Sequence, residues 1–203
     1  MTEREVMIAG GGPTGLMLAA ELTLAGIDVV IVERRTSQNL DGKRAGGLHS
    51  RTIEVLDQRG VEARFLSQGQ AHPFVGYAGT FLDISDFPTR HNYLLALWQS
   101  DFERIMAGWV EELGVPILRG CEVVGFAQDD TGVDVEVSDD TTIRAEYVVG
   151  CDGGRSLIRK AAGIDFPGWD PTSSYLIAEV ETDEEPELGM RPEGGGIGPV
   201  NRE

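Results

Sequence analysis

The segment Ala9-Gly10-Gly11-Gly12-Pro13-Thr14-Gly15 places Gly10, Gly12 and Gly15 in the spacing GxGxxG, with Pro13 and Thr14 inside it. In a dinucleotide fold each glycine has a mechanical task. The first permits a tight turn, the second keeps a Cβ out of the path of a pyrophosphate, and the third lets a helix approach a strand. The amides at the start of the following helix would then face the diphosphate charge. Eighteen residues after Gly15 stands Glu33, at the end of an apolar run, where a carboxylate would accept hydrogen bonds from an adenosine ribose. The motif alone is weak; its setting between a strand and a helix points to a dinucleotide. Glu33 disfavours a 2'-phosphate here, so NADP fits this site worst, while FAD and NAD both remain open because both contain ADP.

The elements that must position these residues are legible nearby. Glu5 to Gly10 reads as a short buried strand. Pro13 to Ala25 carries apolar residues at helical spacing, with Gly26 as the stop. Asp28 to Glu33 is a continuous apolar strand of the kind found in parallel sheets covered on both faces. Together they form a βαβ unit with a right-handed crossover. Polar, glycine-rich sequence over 34–47 predicts a loop, after which Ser50 is expected to cap a helix over 51–58. Ser100 and Glu103 have the form of a capping box opening a helix to about Leu113.

Further along, a strand over 115–118 returns to the sheet. Residues 122–145 predict antiparallel strands, since Val133, Val135 and Val137 alternate with Asp134, Glu136 and Ser138. Another apolar strand over 145–150 is followed by a glycine turn and a helix near 156–162, and a last strand is expected over 174–180. A plain NAD dehydrogenase would continue as alternating strands and helices. This chain leaves the sheet after one βαβ unit, makes a strand-rich excursion over 74–98 and later inserts an antiparallel ribbon.

Composition narrows the partners. The chain has 203 residues, 34 acidic against 17 basic, and a formal charge of -17. That balance repels a polyphosphate backbone, and no cluster of basic and aromatic residues offsets it, so no nucleic-acid partner is expected. No apolar run approaches the roughly 20 residues a membrane-spanning helix needs. The start MTEREVMIAG lacks the pattern of a secretory signal, so a cytoplasmic protein is expected. Cys121 and Cys151 read as small apolar residues rather than a disulfide or zinc pair. The three histidines have no metal-binding spacing, and nothing in the sequence speaks to oligomeric state.

Four segments carry a resemblance to a known family: IAGGGPTGLMLAAELTLAGIDVVIVER, KRAGGLHSRTIEVLDQRG, LWQSDFERIM and VVGCDGGRSLIRKAAGIDFPG. In this order they resemble the FAD-dependent aromatic hydroxylases, the single-component flavoprotein monooxygenases that include para-hydroxybenzoate hydroxylase, and particularly the polyketide and antibiotic branch. The resemblance implies an α/β, Rossmann-like FAD/NAD(P)-binding fold with an inserted antiparallel ribbon and part of a β-rich substrate domain. The implied division is residues 1–73 and 99–170 for the two parts of the FAD-binding domain, 74–98 for a substrate-layer excursion and 171–203 for an incomplete substrate domain.

The resemblance also assigns roles. Beside Gly10, Gly12, Pro13, Thr14, Gly15 and Glu33, it implies cofactor binding by Arg34 at the end of the first segment and by Arg44 along the flavin side. Gln99 is implied as a hydrogen-bonding partner of the cofactor. Val123 would meet the adenine through its backbone, and Asp152 would orient a turn beside the pyrophosphate. It implies FAD as cofactor, NADH or NADPH as co-substrate, dioxygen, and a small aromatic substrate hydroxylated through a flavin C4a-hydroperoxide. No side chain is assigned a catalytic role, because the cofactor carries the chemistry. The family's second glycine-aspartate fingerprint is missing after Gly163, so the sequence reads as the N-terminal part of such an enzyme. An FAD-dependent reductase or dehydrogenase and a truncated, non-catalytic nucleotide-binding module are the alternatives.

Overall fold

The computed structural model describes residues 2–40, 44–77 and 80–174, and beyond these 176, 178, 180, 181, 183, 184, 189, 190, 196 and 197. The chain divides into two compact units, residues 1–165 and 166–203. In the first, β1 (Thr2–Ala9), α1 (Pro13–Leu24) and β2 (Val29–Glu33) form the βαβ unit. There follow β3 (Gly47–Leu48), α2 (Ser50–Gln58), α3 (Glu62–Leu66), β4 (Gln70–His72), β5 (Phe74–Tyr77), β6 (Thr80–Asp83) and β7 (Leu94–Ala96). The unit is completed by α4 (Gln99–Glu112), β8 (Ile117–Arg119), β9 (Val123–Asp129), β10 (Gly132–Val137), β11 (Thr142–Gly150) and α5 (Leu157–Ala161). In the second unit, β12 (Gly189–Met190) pairs antiparallel with β13 (Gly196–Ile197).

The main sheet has the order β8-β2-β1-β11-β10-β9. The pairs of β2 with β8, β1 with β2 and β1 with β11 are parallel, and β10 pairs antiparallel with both β11 and β9. Side-chain alternation sorts the core onto two faces. Val6, Ile8, Val29 and Ile31 pack with Leu16, Ala19 and Ala20 of α1 and with Met106 and Val110 of α4. Met7, Ala9, Val30 and Val32 pack on the other face with Val133, Val135, Val137, Ile143 and Ala145 of the ribbon and Ile158 of α5. Every residue of β2 is buried, which is why that stretch carries no polar alternation. Two smaller sheets, β3-β7-β4 and the hairpin β5-β6, make up the excursion and its flanks.

Several expected details differ. The helix expected to start at Arg51 begins at Ser50 with His49 at its cap, and the Ser50 hydroxyl donates to the Tyr93 carbonyl at 3.3 Å instead of capping. No capping box forms at Ser100 and Glu103. The helix starts at Gln99, two residues earlier than a cap at Ser100 requires, with Trp98 at the cap position making no side-chain capping bond, and Glu103 is buried. Its carboxylate meets a guanidinium, a stronger bond than the amide it would otherwise satisfy. The strands expected over 122–145 and 145–150 merge, because β11 continues unbroken from the ribbon into the parallel sheet and pairs with β1 from Thr2 to Ala9. Of the strand expected over 174–180, Ser174, Leu176, Ala178 and Val180 are not in strand, and 175, 177 and 179 lie outside the described residues.

Candidate cofactor cleft

The carboxyl ends of β2, β1 and β11 are held level by backbone bonds: Gly10 N–H donates to Val32 O and Cys151 N–H donates to Ala9 O, both at 2.8 Å. In open α/β sheets the crevice beyond such strand ends is where ligands bind. Here it is a cleft of about 370 Å³. Gly10, Gly12, Pro13, Thr14, Glu33, Arg34, Arg44, Gln99, Val123 and Asp152 all line it, so the structure gathers ten of the eleven marked residues around one space. The eleventh, Gly15, lies beneath.

The three glycines divide their work. A Cβ on Gly15 would collide with the Gly10 carbonyl oxygen and press on Ile8, so this glycine lets α1 seat on β1. Gly10 has φ of +107°, and a Cβ there would strike the Cys151 carbonyl. It therefore makes the turn and admits the end of β11. A Cβ on Gly12 would meet no protein atom within 4 Å, and Gly12 sits at the cap of α1, where the helix amides open to the cleft. That is the geometry of a backbone left bare for an anionic ligand.

Glu33 is 5% exposed. Its Oε2 accepts from Gly11 N–H at 2.6 Å, and its Oε1 accepts from Arg35 N–H at 2.8 Å and from Arg35 Nε at 3.2 Å. Burial pushes the carboxyl up, but the Arg35 amide and guanidinium and the Gly11 amide outweigh it and hold it below its ordinary value. It is an anion with three of its roughly four acceptor positions filled. The remaining one is on Oε2.

Asp152 closes the other side. Its Oδ2 accepts from the Leu157 amide at 2.6 Å and the Ile158 amide at 3.2 Å, at the start of α5, whose cap Ser156 accepts from Arg159 N–H at 3.0 Å. Burial raises the Asp152 carboxyl, and hydrogen bonds from Ser156 and these two amides override it, leaving it lowered. Its Oδ1 is buried without a partner among the described residues. A buried anionic acceptor facing a cleft is costly unless a donor reaches it.

Gln99, at the start of α4, donates through Nε2 to Glu103 Oε1 at 2.8 Å, which turns its amide against the cleft wall. Arg44 is exposed at the rim and has no carboxylate partner among the described residues. Arg34 is also exposed, 3.9 Å from Glu122. Val123 is buried at the start of β9.

Among the cleft-lining residues that were not marked from the sequence are Arg35 and Glu103, which are bonded to each other. The signal for Glu103 was present, since it stands with Met106 and Val110 on the apolar stripe of α4. A carboxylate on such a stripe requires a buried cation. Arg35 gave no comparable sign, being one of two successive arginines after the strand.

The fold agrees with comparisons against known proteins. The model of the family described as "FAD binding domain" matches residues 3–199. A rifampicin monooxygenase of Streptomyces venezuelae is 44% identical over 181 residues, covering 87% of this chain and 37% of that protein. The 12-dehydrotetracycline 5-monooxygenase/anhydrotetracycline 6-monooxygenase of Streptomyces rimosus is 42% identical over 201 residues, covering 97% of this chain and 39% of that protein. Among solved structures, OxyS anhydrotetracycline hydroxylase from Streptomyces rimosus superposes with a TM-score of 0.80 at 42% identity, covering 84% of this chain and 36% of that one. The chain thus spans under two fifths of the length of these curated relatives. It belongs to the FAD-binding-domain family, the flavin-binding fold of the aromatic and antibiotic monooxygenases.

Proposed function

We propose that this chain forms the cofactor-holding part of an FAD-dependent monooxygenase that hydroxylates a small aromatic or polyketide-like molecule, using NADH or NADPH and dioxygen. The observation that carries the reading is the convergence of Gly12, Glu33, Gln99 and Asp152 on one cleft at the carboxyl ends of the parallel strands. The family membership and the names of its relatives support the reaction class.

The residues present fit FAD. The bare backbone at Gly12 and the amides following Pro13 would receive the pyrophosphate, and Glu33 Oε2 would accept from the adenosine ribose. Val123 would contribute backbone to the adenine. Gln99 and Arg44 would contact the flavin half, and Arg34 the rim. The unpaired Asp152 Oδ1 would gain a donor from the cofactor or its water. When bound, FAD would supply the redox chemistry, namely hydride acceptance from a nicotinamide and activation of dioxygen. The protein's share is to orient the cofactor and exclude water from the reacting centre. In the same reading, residues 1–73 and 99–170 form the two parts of the FAD-binding domain, while 74–98 and 171–203 belong to a substrate layer. In support, the cleft is lined from 9–44 and 99–157 and by no described residue of the hairpin.

Titration of the purified chain with FAD tests the first half of the proposal, and saturable quenching of flavin fluorescence is expected. Oxidation of NADH or NADPH stimulated by an aromatic compound, with one oxygen atom recovered in the product, tests the second. Turnover that proceeds equally without dioxygen would assign a reductase or dehydrogenase, and FAD binding without any turnover a non-catalytic module.

A further inference from the structure

In the wall of the cleft, two carboxylates share one guanidinium. Arg35 donates through Nε to Glu33 Oε1 at 3.2 Å and through both Nη1 and Nη2 to Glu103 Oε2 at 3.0 Å. Glu103 is 1% exposed and also accepts from Gln38 Nε2 at 2.7 Å and Gln99 Nε2 at 2.8 Å. The central residue of the glycine turn, Gly11, is held through both of its flanking peptides by the same group of residues. Its amide, Gly11 N–H, goes to Glu33, and its carbonyl, Gly11 O, accepts from Gln38 Nε2 at 2.9 Å and Arg35 Nη2 at 3.3 Å. The turn at the head of α1, the acid ending β2 and the first turn of α4 are thus fixed to one another by charge-assisted bonds.

We propose that Arg35 and Glu103 are positioning residues for nucleotide binding: Glu103 orients Arg35, and Arg35 orients both the Glu33 carboxylate and the Gly11 peptide, so that one Glu33 oxygen and the bare turn meet the ADP half of the ligand. The proposal rests on the reading that Glu33 receives the ribose. Arg35 reaches Glu33 with Nε while both Nη atoms engage Glu103. A lysine keeps the charge at this position but cannot hold three acceptors in that fixed fan. A glutamine at 103 keeps the shape but turns an amide donor or a neutral acceptor toward Arg35. A buried pair broken on one side leaves its partner charge uncompensated.

The test uses the 203-residue chain and measures equilibrium binding of FAD by fluorescence quenching and of ADP by competition, for Glu33→Gln, Arg35→Lys, Glu103→Gln and the Glu33→Gln, Glu103→Gln pair. The number of sites per chain is read from the same titrations. The expected result is that Arg35→Lys and Glu103→Gln each weaken FAD and ADP by about tenfold with the number of sites unchanged, and that the paired variant loses less than the product of its two single losses. A fall in the number of sites with affinity intact would give these residues a folding role only and overturn the proposal. Affinities within about twofold of the parent for both Arg35→Lys and Glu103→Gln, with Glu33→Gln weakened, would overturn the proposal and leave the ribose reading standing. Unchanged affinity in all variants, or a parent that binds neither nucleotide, would remove both.

Discussion

Gly12 and Gly15 lie three positions apart and face opposite surroundings, one open to the cleft and the other pressed against the Gly10 carbonyl. Alanine separates them. Gly15→Ala forces α1 away from β1, and overpacking of this kind is expected to lower the unfolding free energy by about 3 kcal/mol in urea denaturation. Gly12→Ala touches no protein atom and is expected to cost about 1 kcal/mol or less, the difference between the two residues at a helix cap. Its effect falls on the ligand, with FAD affinity reduced in fluorescence titration. Equal stability losses in the two variants would contradict this division.

The elements differ in how many neighbours secure them. β1 and β11 are paired on both sides, whereas among the described residues β5 and β6 pair only with each other and expose Tyr77 and Phe81. An isolated two-stranded hairpin is marginal in water, so hydrogen exchange is expected to be faster over β5 and β6 than over β1 and β11, read by mass spectrometry of peptic peptides. The βαβ unit was legible because its apolar run and helical spacing are local signals, and the ribbon was legible through the alternation at Val133, Val135 and Val137. The unity of β11 was not, because its amino-terminal half pairs with both β10 and β1, and no local pattern records a second partner. The start of α4 was misread for a related reason: Glu103 resembles a capping residue until Arg35, sixty-eight positions away in sequence, claims it. Half of the cleft lining could be read from glycines and strand ends, and Arg35 and Glu103 escaped because the bond between them joins residues far apart in the chain.

At the scale of the whole molecule, an excess of acids in a chain of charge -17 makes acid the sensitive direction. Glu33 and Asp152 titrate below their ordinary values of 4.5 and 3.8 in the folded state. The unfolded chain therefore binds their protons first, and the stability these groups contribute is complete above those values and drains as pH falls through them. Urea midpoints are expected to decline from about pH 5 downward, and the decline to be shallower in Glu33→Gln. A parallel decline in the variant would mean that Glu33 has no part in it.

The shared register of β1 and β11 reaches beyond stability. Asp152 is set opposite Gly10 by the bond from Cys151 N–H to Ala9 O, and the far end of the ribbon, where Asp130 is exposed between Asp129 and Thr131, makes no bond to either of these residues. The ribbon tip is thus a place where a peptide tag or fluorescent reporter could be grafted, its length chosen freely, while the distance between the two ligand-facing turns stays as the parallel strands dictate.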